Sequence, residues 1–238
     1  MNGLTSFFWR GDVLGSRGVS DMVLSGTVDV PAVPAQLMAD WRRDMAQSLA
    51  LEPGDVEALP LVRSRGRGRW PDYRCCVQAA VDWTDRIGLP DVLASSDIAL
   101  MACRGARYHH DGVQYGDMAF CNLFLSEAEG LDLHLPIAGV RIPLVRGTVV
   151  VFDTGQPHAV IPRGSSRFDA ADFSRGQHDA QIFLTWELPV DNHHVSQALQ
   201  LVFDIDTTTA QRLNAQQVLL HGRAASVCPE SGGWCPTE

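Results

Sequence analysis

The stretch Arg107-Tyr-His-His-Asp-Gly112 holds the densest chemistry in the chain. In an extended strand, residues two apart share a face, so His109 and Asp111 project together while His110 points the other way. An imidazole and a carboxylate side by side at a strand end can occupy adjacent positions around a metal ion. From Thr148 the chain reads as a buried strand, a tight turn and then His158, 49 residues beyond His109, opening the next strand. Two histidines and one carboxylate on one face of a metal, with its other positions open, make the donor set that suits Fe(II) for work with O2. The remaining histidines are weaker candidates. His110 reads as a packing or supporting residue. His134 shares a strand face with Asp132, opposite Leu131, Leu133 and Leu135, and faces either a cavity or solvent. His193 and His194 read as a solvated turn.

Such donors need a rigid frame, and the pattern around them supplies one. Short apolar runs recur at 98–103, 119–125, 131–136, 141–144, 148–152, 158–161 and 181–188, with glycine or proline at most junctions. Many short strands at this spacing predict an all-β sandwich or barrel over 97–190. The first 96 residues are mixed. Strands are expected at 6–9 and 22–30, and Leu37, Met38, Trp41, Met45 and Leu49 recur at helical spacing, ended by Pro53-Gly54. A second helix is expected at 72–87, with Val77, Ala80, Val81, Trp83 and Thr84 on its apolar face. Residues 191–238 are expected to give a strand at 199–205, a helix from 207 to about 220 and a frayed tail after Gly222. One domain is the expectation for 238 residues, with a core that needs no staples.

Composition removes several function classes. All 19 basic residues are arginine and none is lysine, so Schiff-base chemistry, a Walker-type phosphate loop and a kinase-type lysine are excluded. The net charge of −9 argues against nucleic acid and anionic lipid as partners. The loop from Arg63 to Arg69 is a solvated connector or a rim that draws in an anionic substrate. Residues 1–10 show no secretory pattern and no window approaches the length of a membrane span, so a cytoplasmic location with reduced thiols is expected. Cys228 and Cys235 are the one pair whose bridging is left open.

Tyr108-His-His-Asp-Gly112, Gly130-Leu-Asp-Leu-His-Leu-Pro136 and Gly147-Thr-Val-Val-Val-Phe-Asp-Thr-Gly-Gln-Pro-His158 together resemble the Fe(II)/2-oxoglutarate-dependent dioxygenase superfamily. The resemblance covers roughly 97–190. It implies a mainly β fold, a double-stranded β-helix (a jelly-roll, cupin-like barrel) with helices packed outside, mostly from the N-terminal region. It also implies His109, Asp111 and His158 as iron ligands, and Fe(II), 2-oxoglutarate and O2 as the cofactor set. The activity implied is hydroxylation, or another C–H oxidation, coupled to decarboxylation of the oxo acid. The expected substrate is a small molecule, an amino acid or a natural-product intermediate. The rivals are a protein or peptide side-chain hydroxylase, a cupin-type metalloenzyme using no oxo acid, and a non-enzymatic jelly-roll binding module. Oligomeric state is not legible.

The chain departs from the superfamily pattern at one place. Members usually carry an arginine or lysine at the start of the final barrel strand, about ten residues past the distal histidine, to pair with the far carboxylate of 2-oxoglutarate. Here that strand begins at neutral Gln181, and an insertion carrying Arg163, Arg167 and Arg175 precedes it. By spacing Arg167 is the first choice as anchor, nine residues after His158, then Arg163, then Arg175 or an arginine from elsewhere, the remaining alternative being an unusual cosubstrate site built around Gln181. Asn122, on the face of Phe120 and Phe124, is expected to add a hydrogen bond.

Overall fold

The computed structural model describes residues 3–64, 68–173 and 180–236. Arg65, Arg67 and Arg175 lie outside these. In chain order the elements are β1 (Leu4–Arg10), β2 (Val13–Gly18), β3 (Val23–Thr27), α1 (Ala35–Gln47), β4 (Val56–Leu59), α2 (Leu61–Ser64) and α3 (Tyr73–Arg86). The eight strands β5 (Ile98–Cys103), β6 (Ala106–His109), β7 (Met118–Phe124), β8 (Leu131–Leu135), β9 (Val140–Pro143), β10 (Thr148–Asp153), β11 (His158–Pro162) and β12 (Gln181–Pro189) follow. Last come α4 (His193–Ala198), α5 (Thr207–Ala210), β13 (Gln217–Leu220), β14 (Arg223–Val227) and β15 (Trp234–Pro236).

Strands β5 to β12 form a double-stranded β-helix. One sheet runs β10-β7-β12-β5 and is extended at its edges by β3 and β4; the other runs β6-β11-β8-β9. Every pairing is antiparallel, and the chain passes back and forth between the sheets, as in a jelly roll.

Register sorts the side chains of the larger sheet. Phe120, Asn122 and Phe124 of β7 stand beside Phe152 and Val150 of β10 and beside Glu187, Thr185 and Phe183 of β12. This face turns into the barrel, where Phe124, Val150, Phe152 and Phe183 join Leu131, Leu133 and Val160 of the second sheet in one apolar cluster. The opposite face, with Cys121, Leu123, Val149, Val151, Leu184 and Trp186, packs on the helices. A strand buried on both faces reads as a continuous apolar run, which is why Thr-Val-Val-Val-Phe shows no alternation.

Helix α1 buries Leu37, Trp41 and Met45, the stripe its spacing predicts. Helix α3 buries Cys76, Ala80, Trp83 and Thr84, while Val77 and Val81 are only partly covered, so its inner face is turned slightly from the expected one. Of the arginine loop, Arg69 pairs with Asp40 at 2.6 Å. All six cysteines are free thiols, and Cys235 stands across from Ser226, not Cys228. No described helix is long and apolar enough to cross a membrane.

The C-terminal region corrects the sequence reading. Residues 199–205 are not a strand: Gln200 and Asp204 adopt φ of 52° and 55°, which breaks extended backbone, and only Phe203 makes a bridge, to Arg17. The expected long helix is the single turn α5, and Gln217–Leu220 is a strand paired with β1. The tail after Gly222 is ordered as β14 and β15, which extend the sheet β15-β14-β13-β1-β2.

One turn fixes how the barrel closes. Gly147, with φ of +87°, accepts from the Val28 N–H and donates to the Phe124 carbonyl, both at 2.9 Å. A Cβ at Gly147 would collide with the Val28 carbonyl oxygen. Gly147→Ala is therefore expected to destabilise the protein by roughly 2 kcal/mol or more, combining backbone strain with that clash. Urea denaturation checks it; a loss under about 0.5 kcal/mol would show that the turn yields at little cost.

Candidate metal centre

His109 closes β6 and His158 opens β11, and the two residues face each other directly in the ladder. Their rings lie 4.4 Å apart, centroid to centroid. Asp111 is placed differently from the sequence expectation. Strand β6 ends at His109, so Asp111 reaches the histidines from a turn, not by strand parity. That turn is pinned: the Asp111 N–H donates to the Thr154 carbonyl at 2.8 Å, and the Asp111 carbonyl accepts from the N–H groups of Gln114 and Tyr115.

The three side chains converge. His109 Nε2 lies 3.6 Å from Asp111 Oδ1 and His158 Nε2 lies 3.5 Å from Oδ2, and one donor atom from each residue lies within 4.8 Å of the others. Tautomers follow from the other ring nitrogens. His109 Nδ1 donates to the Arg107 carbonyl at 2.6 Å and His158 Nδ1 to the Gln156 carbonyl at 3.0 Å. A carbonyl can only accept, so each Nδ1 carries a proton, and in the neutral ring Nε2 keeps its lone pair for a metal. Burial, aided by neighbouring His109, pushes His158 down to about 4 and keeps it neutral near pH 7. With both rings neutral, two imidazole lone pairs and a carboxylate lie side by side, a donor set that suits a bound metal ion. The backbone carbonyls then act as the outer supports that orient metal-bound imidazoles. The donor set fits Fe(II).

The same shift has a consequence for the metal-free protein. The unfolded chain takes up a proton at His158 near 6.5, the folded one only near 4. Between those values the unfolded state binds more protons, so stability falls as pH drops from about 6.5 to about 4, on the order of 3 kcal/mol from this group. Urea midpoints of the metal-free protein across that range should fall, and His158→Asn should remove most of the slope; an equal slope in the variant would refute the assignment.

Aromatic rings wall the centre on one side. Phe152 meets His158 at 4.9 Å, Phe120 meets Phe152 at 6.1 Å and Tyr115 meets Phe120 at 5.1 Å. Tyr115 and Glu187 were not singled out from sequence. Burial raises both above their ordinary values; after that come Glu187 and Asp111 acting on Tyr115, and Asp97 and Asp117 acting on Glu187. Register puts Glu187 beside Phe120, on the barrel face.

The other candidates fall as follows. His110 packs against Trp234, with ring centroids 5.4 Å apart. His134 is half-buried and bonded through Nδ1 to the Tyr108 hydroxyl at 2.5 Å, on the face of Asp132. His193 and His194 open α4, capped by Asn192. Arg163 reaches Asp132 with Nε at 3.0 Å, and Arg167 lies two-thirds exposed beside Asp169 at 3.7 Å. The structure does not bring either arginine to the three donors. Asn122 and Gln181 are both buried on the barrel face of the larger sheet.

Comparison with known proteins gives matches of low similarity. No family model matches the chain. One curated protein, cytochrome P450 BJ-4 of Bradyrhizobium diazoefficiens, is 35% identical over 92 residues, 37% of this chain; the chain spans 21% of that protein's length. Among solved structures, a Pseudomonas putida prolyl-4-hydroxylase is 18% identical with a TM-score of 0.38, over 72% of this chain and 93% of its own. The collagen prolyl hydroxylase of Paramecium bursaria Chlorella virus-1, solved with 2OG, is 13% identical with a TM-score of 0.41, over 71% and 98%. EvdO2 of Micromonospora carbonacea, complexed with 2-oxoglutarate, is 15% identical with a TM-score of 0.39, over 70% and 94%. The solved structures to which this chain is similar thus include two prolyl hydroxylases and a protein complexed with 2-oxoglutarate, each under 20% identical and with a TM-score below 0.5.

Proposed function

We propose that the protein is a non-haem Fe(II)- and 2-oxo-acid-dependent oxygenase that hydroxylates, or otherwise oxidises a C–H bond of, a small molecule. The observation that carries this reading is the convergence of His109 Nε2, Asp111 and His158 Nε2 on one point with no donor among them. When bound, the iron and the oxo acid supply the oxidising power, with O2 consumed and CO2 released.

The chain's own residues do the rest. His109, Asp111 and His158 would hold the metal. The Arg107 and Gln156 carbonyls fix the two imidazoles. Phe120 and Phe152 keep water from that wall of the centre, and Tyr115 with Glu187 supplies polar contacts beside it. A net charge of −9 supports a small-molecule substrate over nucleic acid.

Anaerobic Fe(II) with a 2-oxo acid should give a weak visible charge-transfer band, and CO2 release should be stimulated by members of a panel of amino acids and small metabolites. Stimulation by peptides alone would overturn the substrate class. No band and no CO2 release with any 2-oxo acid would overturn the activity.

A further inference from the structure

Gln181 is the first residue of β12, wholly buried, and neither its Oε1 nor its Nε2 has a hydrogen-bond partner. Leaving both ends of a primary amide unpaired in a protein interior is costly whichever way the amide is turned, and such a group marks the place of something that pairs with it. Its side chain shares the face of Phe183 and Thr185, which is the inner face of the barrel. Asn122, across from Thr185 on that face, is 7% exposed and its Oδ1 is likewise without a partner.

The described arginines near the barrel are engaged elsewhere. Arg104 donates to the Leu51 and Phe173 carbonyls, Arg146 pairs with Glu127, Arg141 and Arg163 pair with Asp132, and Arg17 pairs with Asp153. A carboxylate brought beside Gln181 and Asn122 would meet amide groups and no cation among the described residues, and burying a charge that way is unfavourable. It would also turn acceptor oxygens toward Gln181 Oε1 and Asn122 Oδ1. A tail that donates and accepts at once satisfies them.

We propose that Gln181 is the recognition residue for the far end of the 2-oxo acid, and that it selects a neutral tail with both donor and acceptor, of which a primary carboxamide is the simplest, over a second carboxylate. This rests on the oxygenase reading of the His109, Asp111 and His158 centre and narrows its cosubstrate class.

N-oxalylglycine and N-oxalylglycinamide are isosteric, unreactive oxo-acid analogues that differ only in a terminal carboxylate or carboxamide. Each is titrated into the Co(II)-loaded protein, followed by the visible Co(II) spectrum and by calorimetry. In the parent protein the amide analogue should bind about tenfold tighter, the value of one or two well-made hydrogen bonds. Gln181→Leu should erase the preference, and Gln181→Arg should invert it toward N-oxalylglycine. Tighter binding of N-oxalylglycine by the parent, or a preference unchanged in Gln181→Leu, would overturn the proposal and leave the metal centre standing. Co(II) binding with no response to either analogue would overturn the oxo-acid reading itself, and failure to bind Co(II) would overturn the metal centre; the proposal falls with either.

Discussion

Asp111→Ala is expected to lower the affinity for Fe(II) or Co(II) more than about 100-fold and to bring oxidation below detection, while the fold is kept. Removing only an outer support of a metal ligand costs up to about 100-fold, and a ligand itself should cost more. The fold should survive because the turn does not depend on the carboxylate. Its backbone is tied by the Asp111 N–H to the Thr154 carbonyl and by the Gln114 and Tyr115 N–H groups to the Asp111 carbonyl. The carboxylate itself is a quarter exposed and lies beside the two imidazoles. In metal-free protein, Asp111→Ala should therefore unfold within about 1 kcal/mol of the parent, as surface substitutions do. His158→Ala makes a useful contrast: it also loses the metal, but it empties buried space beside Phe152 and should cost stability as well. Co(II) titration by absorbance and urea denaturation measure both quantities. Full-strength Co(II) binding by Asp111→Ala would mean that the donor set is wrong.

The barrel was legible because its strands announce themselves. The runs at 98–103, 148–152 and 158–161 match β5, β10 and β11 to within a residue, since turn glycines and prolines punctuate a continuous apolar text. The candidate donors could be located for the same reason: His109 and His158 sit at strand ends that the pattern marks. Asp111 lies beside the two histidines because of a turn tied to Thr154, where strand parity was expected to place it. The region after Val195 was not legible. Its alternation from Leu199 to Ile205 looks extended, but positive φ at Gln200 and Asp204 interrupts it, and Gln217–Leu220 becomes a strand only because β1 offers an edge more than 200 residues away in sequence. Tertiary pairing overrode local preference there. Gln181 shows both sides. Its neutrality at the anchor position could be read from the sequence, whereas the unpaired state of its amide belongs to the packed barrel.

Arg17 had no local signal, set in Gly-Ser-Arg-Gly, yet its replacement should be among the most damaging changes in the chain. Its guanidinium is wholly buried and bidentate on Asp153, at 2.6 and 2.9 Å, with Nε donating to the Gly116 carbonyl at 2.9 Å. Asp153 in turn accepts from the Ser20 and Gly155 N–H groups at 2.8 and 2.9 Å. The pair thus ties β2 to the end of β10, where the turn toward His158 begins, and to the loop that follows Asp111. Taking one partner from a buried ion pair leaves an unpaired charge and costs about 3–5 kcal/mol, a large part of an ordinary stability of roughly 5–15 kcal/mol. Arg17→Met should lose that much in urea denaturation. It should also weaken Co(II) binding, although Arg17 touches none of the three donors, because both segments that present them loosen. Arg17→Met with Asp153→Leu should be more stable than Arg17→Met alone, since no charge is left stranded. The recovery should be incomplete, because the Ser20 and Gly155 N–H groups and the Gly116 carbonyl then lack their partners. A loss below 1 kcal/mol in Arg17→Met, or an unchanged Co(II) affinity, would show that the loops beside the centre hold their shape without the pair.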